Sequence, residues 1–256
     1  MNRVESIFST LKQEGKKGIM PFVVAGHPTL DESAEAVKLM SENGAHVIEV
    51  GIPFSDPIAD GPVISAAMHQ VLEQGVTPSK VMEMIQSIRD EVSAALIAMV
   101  SFSIVKKCGS EVFIDELKVA GFDGVIIPDI DIQKAKELSS YCKSLEMSFT
   151  MLIAPNTTDQ RMADLVSISS GFVYLLARVG ITGEQSELPD LEDRISKLRK
   201  LTDLPIAVGF GISNRDQVTQ VHQHADAAIV GSALVRRMSE SDSPSNTAKH
   251  FVLEIS

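Results

Sequence analysis

Eight short runs rich in Val, Ile, Ala and Phe, the amphipathic stretches between them and a length of 256 residues predict a closed (β/α)8 TIM barrel, with residues 1–256 forming a single barrel domain. The runs are IMPFVVAG at 19, HVIEVG at 46, ALIAMVS at 95, GVIIPD at 124, SFTMLIA at 148, FVYLLA at 172, PIAVGFG at 205 and AAIVG at 227. Nearly all lack apolar/polar alternation, as expected of parallel strands covered on both faces. The rival arrangement is an open doubly wound sheet, but the first run ends in VVAGHP, with one glycine, Gly26, and no GxGxxG.

Before the first run, residues 3–13 place Ile7, Phe8 and Leu11 on one helical face and read as an extra helix across the bottom of the barrel. That segment has no apolar core of signal-peptide length, and no uncharged apolar run reaches the ~18 residues of a membrane span. Between the first two runs, Ala34, Val37 and Met40 share a helical face. Thr29 and Glu32 form a capping-box pair at its start, and Gly44 stops it. Ser213, with Asp216 three residues on, is an N-cap candidate for a helix through Val218 and Val221. After the eighth run, VGSALVRRM opens a short extra helix. The widest strand spacings follow the second run (46 to 95) and the sixth (172 to 205). In a barrel enzyme the chemistry lies on loops at the strands' C-terminal ends, so PFSDPIADGP and RVGITGEQSELPD are where extra chain is used.

The composition, 44% apolar and 22% charged with a mean hydropathy of +0.12, is that of a soluble globular enzyme. A net charge of −11 argues against duplex nucleic acid or an anionic membrane as partner, because either needs a positive surface field. A small anion is still accommodated wherever backbone N–H groups converge. Cys108 and Cys142, 34 residues apart, give neither a CxxC nor a disulfide framework and fit a reduced cytoplasmic setting. His222 and His224, without a carboxylate or thiolate cluster, read as surface residues, and no metal site is expected.

Glu49 interrupts an apolar strand. Period two puts it with Val47 on one face and Ile48 with Val50 on the other, and in a barrel either face is apolar. It is either a strand-end glutamate paired with a lysine or arginine, or a general acid/base whose pKa burial raises toward neutrality. Asp56 and Asp60 lie on a loop stiffened by Pro53, Pro57 and Pro62. Asp56 reads equally well as turn chemistry, whereas Asp60, nearer the next helix, reads as a ligand contact or as a turn with Gly61. GFGIS at 209–213 and the Gly231–Ser232 turn both end strands and open helices. Backbone N–H groups of Gly211, Ser213, Gly231 and Ser232 therefore form a candidate phosphate site after strands seven and eight. Tyr174 shares a face with Phe172 and Leu176 and is either a core tyrosine or a substrate contact. Arg178, Thr182 and Gly183 fall on the long sixth loop, which reads as a lid.

The segment EVGIPFSDPIADGP at 49–62 strongly resembles the tryptophan synthase α-subunit family, and the resemblance runs nearly the whole chain. It includes PFVVAGHP, GVTP at 75–78, YLLARVGITG at 174–183, VGFGIS at 208–213 and IVGSALV at 229–235. The resemblance implies aldol-type cleavage of indole-3-glycerol phosphate to indole and glyceraldehyde 3-phosphate, with indole passing to a β subunit in an α2β2 assembly. It implies no cofactor in this chain and pyridoxal phosphate in the β partner. By the same resemblance Glu49 is the acid/base and Asp60 the carboxylate on the indole N–H. Phe22, Tyr174 and Phe210 frame the substrate, and Thr182 belongs to the closing loop. Gly183, Phe210, Gly211, Gly231 and Ser232 bind phosphate. Two departures stand out: Ser101-Phe102-Ser103 where the family usually has Tyr and Asn, and Asp131 where proline is usual. The rival functions are an allosteric activator of the β subunit with weak lyase activity, and a different phosphosugar barrel enzyme.

Overall fold

The computed structural model describes residues 1–55, 61–177, 191–209 and 211–256. The chain opens with α1 (Arg3–Gln13), β1 (Gly18–Val24), α2 (Leu30–Glu42), β2 (Val47–Gly51), α3 (Pro62–Glu73) and α4 (Pro78–Ile88), followed by a 3-10 turn at Arg89–Glu91. It continues through β3 (Ala95–Met99), α5 (Phe102–Cys108), α6 (Ser110–Ala120), β4 (Gly124–Ile126), α7 (Ile132–Ser144), β5 (Ser148–Thr150) and β6 (Leu152–Ile153). Then come α8 (Asp159–Ile168), β7 (Val173–Leu176), α9 (Glu192–Arg199), β8 (Ile206–Gly209), α10 (Arg215–His224), β9 (Ala227–Val230), α11 (Ser232–Ser239) and α12 (Pro244–Ile255).

All strand pairs are parallel, in the order β5-β4-β3-β2-β1-β9-β8-β7-β6. The two ends of that order, β5 and β6, are halves of one run, so the eight predicted strands close into the (β/α)8 barrel. The expected unbroken fifth strand is corrected at Met151, whose N–H donates to the Ser169 hydroxyl at 3.2 Å instead of to the ladder. That diversion lets the first half pair with β4 and the second with β7.

Period two sorts the strands into faces. Met20, Val47, Ala95, Ile97, Ile126, Phe172, Tyr174, Ala207, Ala227 and Ile229 fill the barrel interior, and α1 closes its bottom with Val4, Phe8 and Leu11. Ile7 is only half-buried, so the apolar stripe of α1 runs through Val4, Phe8 and Leu11 instead. A capping box between Asn2 and Glu5 starts this helix, and the Asn2 amide donates to Ser148 Oγ at 3.1 Å, fastening it to the fifth strand. Ile48, Val50, Leu96 and Val208 face outward against the helices, where Val37 and Met40 of α2 are buried. No helix among the described residues is long and apolar enough to cross a membrane.

The barrel's bottom is held by one device used four times. The residue entering each even-numbered strand of the barrel bonds reciprocally to the strand before it. His46 N–H donates to the Ile19 carbonyl (3.0 Å) while its Nδ1 accepts from Ile19 N–H (3.2 Å). Asp123 does the same with Leu96 (2.8 and 2.9 Å), Ser170 with Phe149 (2.8 and 2.9 Å) and Asp226 with Ile206 (2.9 and 2.8 Å). A short polar side chain thus satisfies the amide that each strand leaves unpaired at its lower end. Both acidic clasps are themselves gripped by cations: Asp123 by Arg3 and Arg89, Asp226 by Lys17 and Arg199.

Three local expectations are revised. Thr29 caps α2, but the Glu32 carboxylate accepts from Ser245 N–H and leaves the capping box open. The N-cap of α10 is Asn214 rather than Ser213, because Asn214 Oδ1 accepts from Gln217 N–H at 3.0 Å. His222 is not a bare surface residue: its Nε2 donates to the Gly18 carbonyl at 3.0 Å.

Accepting through Nδ1 requires neutral His46, and its pKa is held below 6.5, first by burial and then by the charges of Lys16 and His222. The unfolded chain therefore takes up this proton first, so the clasp's contribution is complete above pH 6.5 and is lost as pH falls through the folded value. His46→Asn keeps an acceptor that does not titrate. The urea midpoint of the variant relative to the parent should rise as pH falls from 7 to about 5.5, and a constant difference would refute the clasp's titration.

Candidate active site

Glu49 occupies the inner face of β2 near its C-terminal end. Its register partners are Phe22 on β1 and Ile97 on β3, so apolar side chains flank it on both sides. The residue is 1% exposed, and neither carboxylate oxygen has a hydrogen-bond partner among the described residues. Among the described residues no lysine or arginine reaches it, so the ion-pair reading finds no support there. Burial alone pushes its pKa up to about 8. A carboxyl group stripped of water and given no compensating charge favours its neutral form. Near neutral pH this group carries a proton that it can release and recover.

Three glycines, Gly51, Gly209 and Gly231, shape the inner rim at this end of the barrel. A Cβ on Gly51 would lie 2.6 Å from Phe22 Cζ, so the Phe22 ring lies across the inner face of β2 just above Glu49. On its other side Phe22 meets Gly231, whose Cβ position is 3.5 Å from Phe22 Cβ. Gly209 does the same for Tyr174: a Cβ there would sit 2.5 Å from the tyrosine oxygen. Each aromatic residue thus leans over a glycine at the end of a neighbouring strand, and a larger residue would expel it. The sequence reading overlooked Gly51 and Gly209 as well as Met99, the half-buried register partner of Gly51. The legible sign was glycine in place of a β-branched residue in a parallel strand.

The ends of β8 and β9, neighbours in the sheet, carry the candidate anion-binding turns. Gly211 has φ +86°, which only glycine adopts without strain. Gly231 is the N-cap of α11 and offers no side-chain acceptor to that helix's first turn, so the N–H groups from Ser232 onward have no side-chain cap. Ser213 is differently occupied: its N–H and hydroxyl both donate to Gln217 Oε1, at 2.8 and 3.1 Å. Asp56, Asp60, Arg178, Thr182, Gly183 and Phe210 lie outside the described residues.

The two departures from the family pattern have local reasons. Ser101 is the N-cap of α5, and Asp129 accepts from both the Ser101 hydroxyl (2.8 Å) and Phe102 N–H (2.7 Å), tying the third loop to the fourth. Asp131 caps α7, accepting from Gln133 and Lys134 N–H at 3.0 Å each. Cys108 and Cys142 are both free thiols. No group of three or more His, Cys, Asp or Glu side chains converges among the described residues in a way that would hold a metal ion.

The family model described as tryptophan synthase alpha chain matches residues 8–255. The tryptophan synthase alpha chain of Synechococcus sp. (strain CC9902) is 41% identical over 233 residues, covering 90% of this chain and 87% of its own. The corresponding chain of Synechocystis sp. (strain ATCC 27184 / PCC 6803 / Kazusa) is 38% identical over 242 residues, 94% of this chain and 92% of its own. Among solved structures, Mycobacterium tuberculosis tryptophan synthase aligns with a TM-score of 0.91 at 28% identity, covering 99% and 96% of the two chains. The tryptophan synthase A-subunit of Pyrococcus furiosus gives 0.86 at 29% identity, covering 93% and 97%.

Because the Glu49 pKa is raised from 4.5 to about 8, its ionisation penalty is absent below pH 4.5, grows as pH rises and is complete above 8. Glu49→Gln removes it. The variant should be more stable than the parent by on the order of 2–3 kcal/mol at pH 7, with the gap closing near pH 4. Thermal or denaturant unfolding across that range checks this, and a pH-independent gap would contradict the buried-carboxyl assignment. Gly51→Ala should destabilise by about 1–3 kcal/mol through overpacking against Phe22, read as a lowered unfolding midpoint.

Proposed function

Since the chain belongs to the tryptophan synthase alpha chain family, we propose that Glu49 moves the protons in the carbon–carbon cleavage of indole-3-glycerol phosphate to indole and glyceraldehyde 3-phosphate. The chain serves as an alpha subunit in tryptophan biosynthesis, with a lyase role. The observation that carries the finer reading is the buried carboxyl group of Glu49 near the C-terminal end of β2, which has no partner among the described residues.

The proton balance follows from that pKa. Neutral Glu49 gives its proton to indole C3, converting the ring to an electron-accepting indolenine. The resulting carboxylate then takes the proton of the side-chain hydroxyl next to the breaking bond. As that C–C bond breaks, its electron pair returns to the ring and the hydroxyl carbon becomes the aldehyde. The carboxyl ends the cycle protonated, as it began. The positive charge that develops at the indole nitrogen calls for a second carboxylate, a role that family resemblance gives to Asp60. Phe22 and Tyr174, held over Gly51 and Gly209, supply flat apolar walls for the indole. Phe210 and Thr182 join them by resemblance alone.

The phosphate falls to Gly211 and to the start of α11 at Gly231 and Ser232, where N–H groups with no side-chain cap among the described residues and the positive helix end favour an anion. Gly183 is included by resemblance. Ser213 would serve only by releasing Gln217. The proposal extends to a cytoplasmic α2β2 complex in which the β subunit holds pyridoxal phosphate and this chain holds no cofactor. Family membership does not favour the reading as mainly an activator.

Indole release should be measured with the β subunit present and absent. Glu49→Gln should lower kcat by roughly 10²–10⁴-fold with little change in KM. In the parent, kcat should fall as pH rises past about 8, where the initiating acid ionises. Undiminished turnover by Glu49→Gln would reject the assignment.

A further inference from the structure

The barrel closes through a short seam between β6 and β7. Because the fifth strand breaks at Met151, β6 and β7 share only two register pairs, Leu152 with Tyr174 and Ile153 with Leu175. One step further along that register stand Ala154 and Leu176. Their carbonyls are bridged by a side chain: Arg194 of α9 donates from Nη2 to Ala154 O at 2.7 Å and from Nη1 to Leu176 O at 3.3 Å. On the opposite edge β7 is held by its own backbone, since Leu176 pairs with Gly209 and Ala177 N–H donates to the Gly209 carbonyl at 2.9 Å. The guanidinium thus stands in for the ladder on the one side of β7 where the ladder has ended.

The chemistry of this position is specific. Arg194 is half-buried, and no carboxylate of the described residues pairs with it. Burial draws its pKa downward. A planar fork with several donors can hold two carbonyls at once in fixed geometry, which a single point charge on a flexible stem does less well. Tyr174 lies two residues before Leu176 on the same face of β7, with its ring packed across Gly209. A sideways shift of the β7 end carries that ring with it, and misplacements of about 1 Å in such walls lower rates by up to ~10²-fold.

We infer that Arg194 is a positioning residue for the reaction: by joining the C-terminal ends of the fifth and sixth barrel strands it fixes the Tyr174 ring against the substrate. This rests on the lyase reading of the same site and adds to it a residue that touches neither the substrate nor Glu49.

The test uses the complex with its β subunit and measures indole release, melting temperature and a double-mutant cycle. Arg194→Leu should lower kcat/KM about tenfold, mostly through KM, while the kcat decline near pH 8 that reports Glu49 stays in place. Arg194→Lys, whose ammonium reaches the same carbonyls without the planar fork, should recover part of the loss. In a Tyr174→Leu background the Arg194→Leu effect should fall below twofold, because the ring it positions is gone. Should Arg194→Leu fail to fold, Arg194→Gln, an uncharged double donor, replaces it in the cycle. Lowered melting temperatures with kcat/KM within twofold of the parent would overturn the inference, as would an undiminished loss in the Tyr174→Leu background. Failure of the lyase reading looks different: Glu49→Gln would then leave indole release intact whatever stands at position 194.

Discussion

Everything distinctive about this barrel depends on keeping one carboxyl group dry. An ionised glutamate inside an apolar barrel is so unfavourable that it must find a partner or hold its proton, and Glu49 has no partner among the described residues. That requires water to be excluded from below and from the sides. The α1 plug of Val4, Phe8 and Leu11 does the first, and the outward-facing strand residues packed under the helices do the second. The raised proton affinity is therefore a property of the whole barrel, delivered at one atom pair.

The two ends of the barrel divide the work. At the bottom, four reciprocal clasps at His46, Asp123, Ser170 and Asp226 recur on alternate strands, matching the fourfold layering of side chains inside such barrels. At the top the chain uses glycine. Gly51, Gly209 and Gly231 clear the inner rim so that two aromatic rings can lie flat across it, and the open start of α11 faces the same end. Stability devices below leave the upper rim free to carry residues chosen for chemistry. The third and fourth loops are held by carboxylate caps, Asp129 accepting from Phe102 N–H and Asp131 from Lys134 N–H.

Much of this was legible in the chain. The eight strands appeared as unalternated apolar runs because both faces of every strand are covered, and the helices appeared as 3.6-residue stripes because only one face of each is. Glu49 announced itself for the same reason, as the single charge in a run where no exposed face exists. The α2 cap at Thr29 was readable because capping is local. The α10 cap falls on Asn214, one residue beyond Ser213, since both side chains are competent and only the path of the chain from β8 chooses between them.

What the sequence by itself determined, then, is the set of elements, their order and the residue types at strand ends, all consequences of short-range periodicity and local hydrogen-bonding preference. Tertiary structure decided the break at Met151, the clasps that reach back to the preceding strand, the rings of Phe22 and Tyr174 over glycines of neighbouring strands, and the reach of Arg194 to Ala154 and Leu176. Each joins residues 18 or more positions apart whose pairing depends on barrel closure. No local pattern encodes where a side chain meets a strand it follows by 40 residues, as Arg194 meets Ala154.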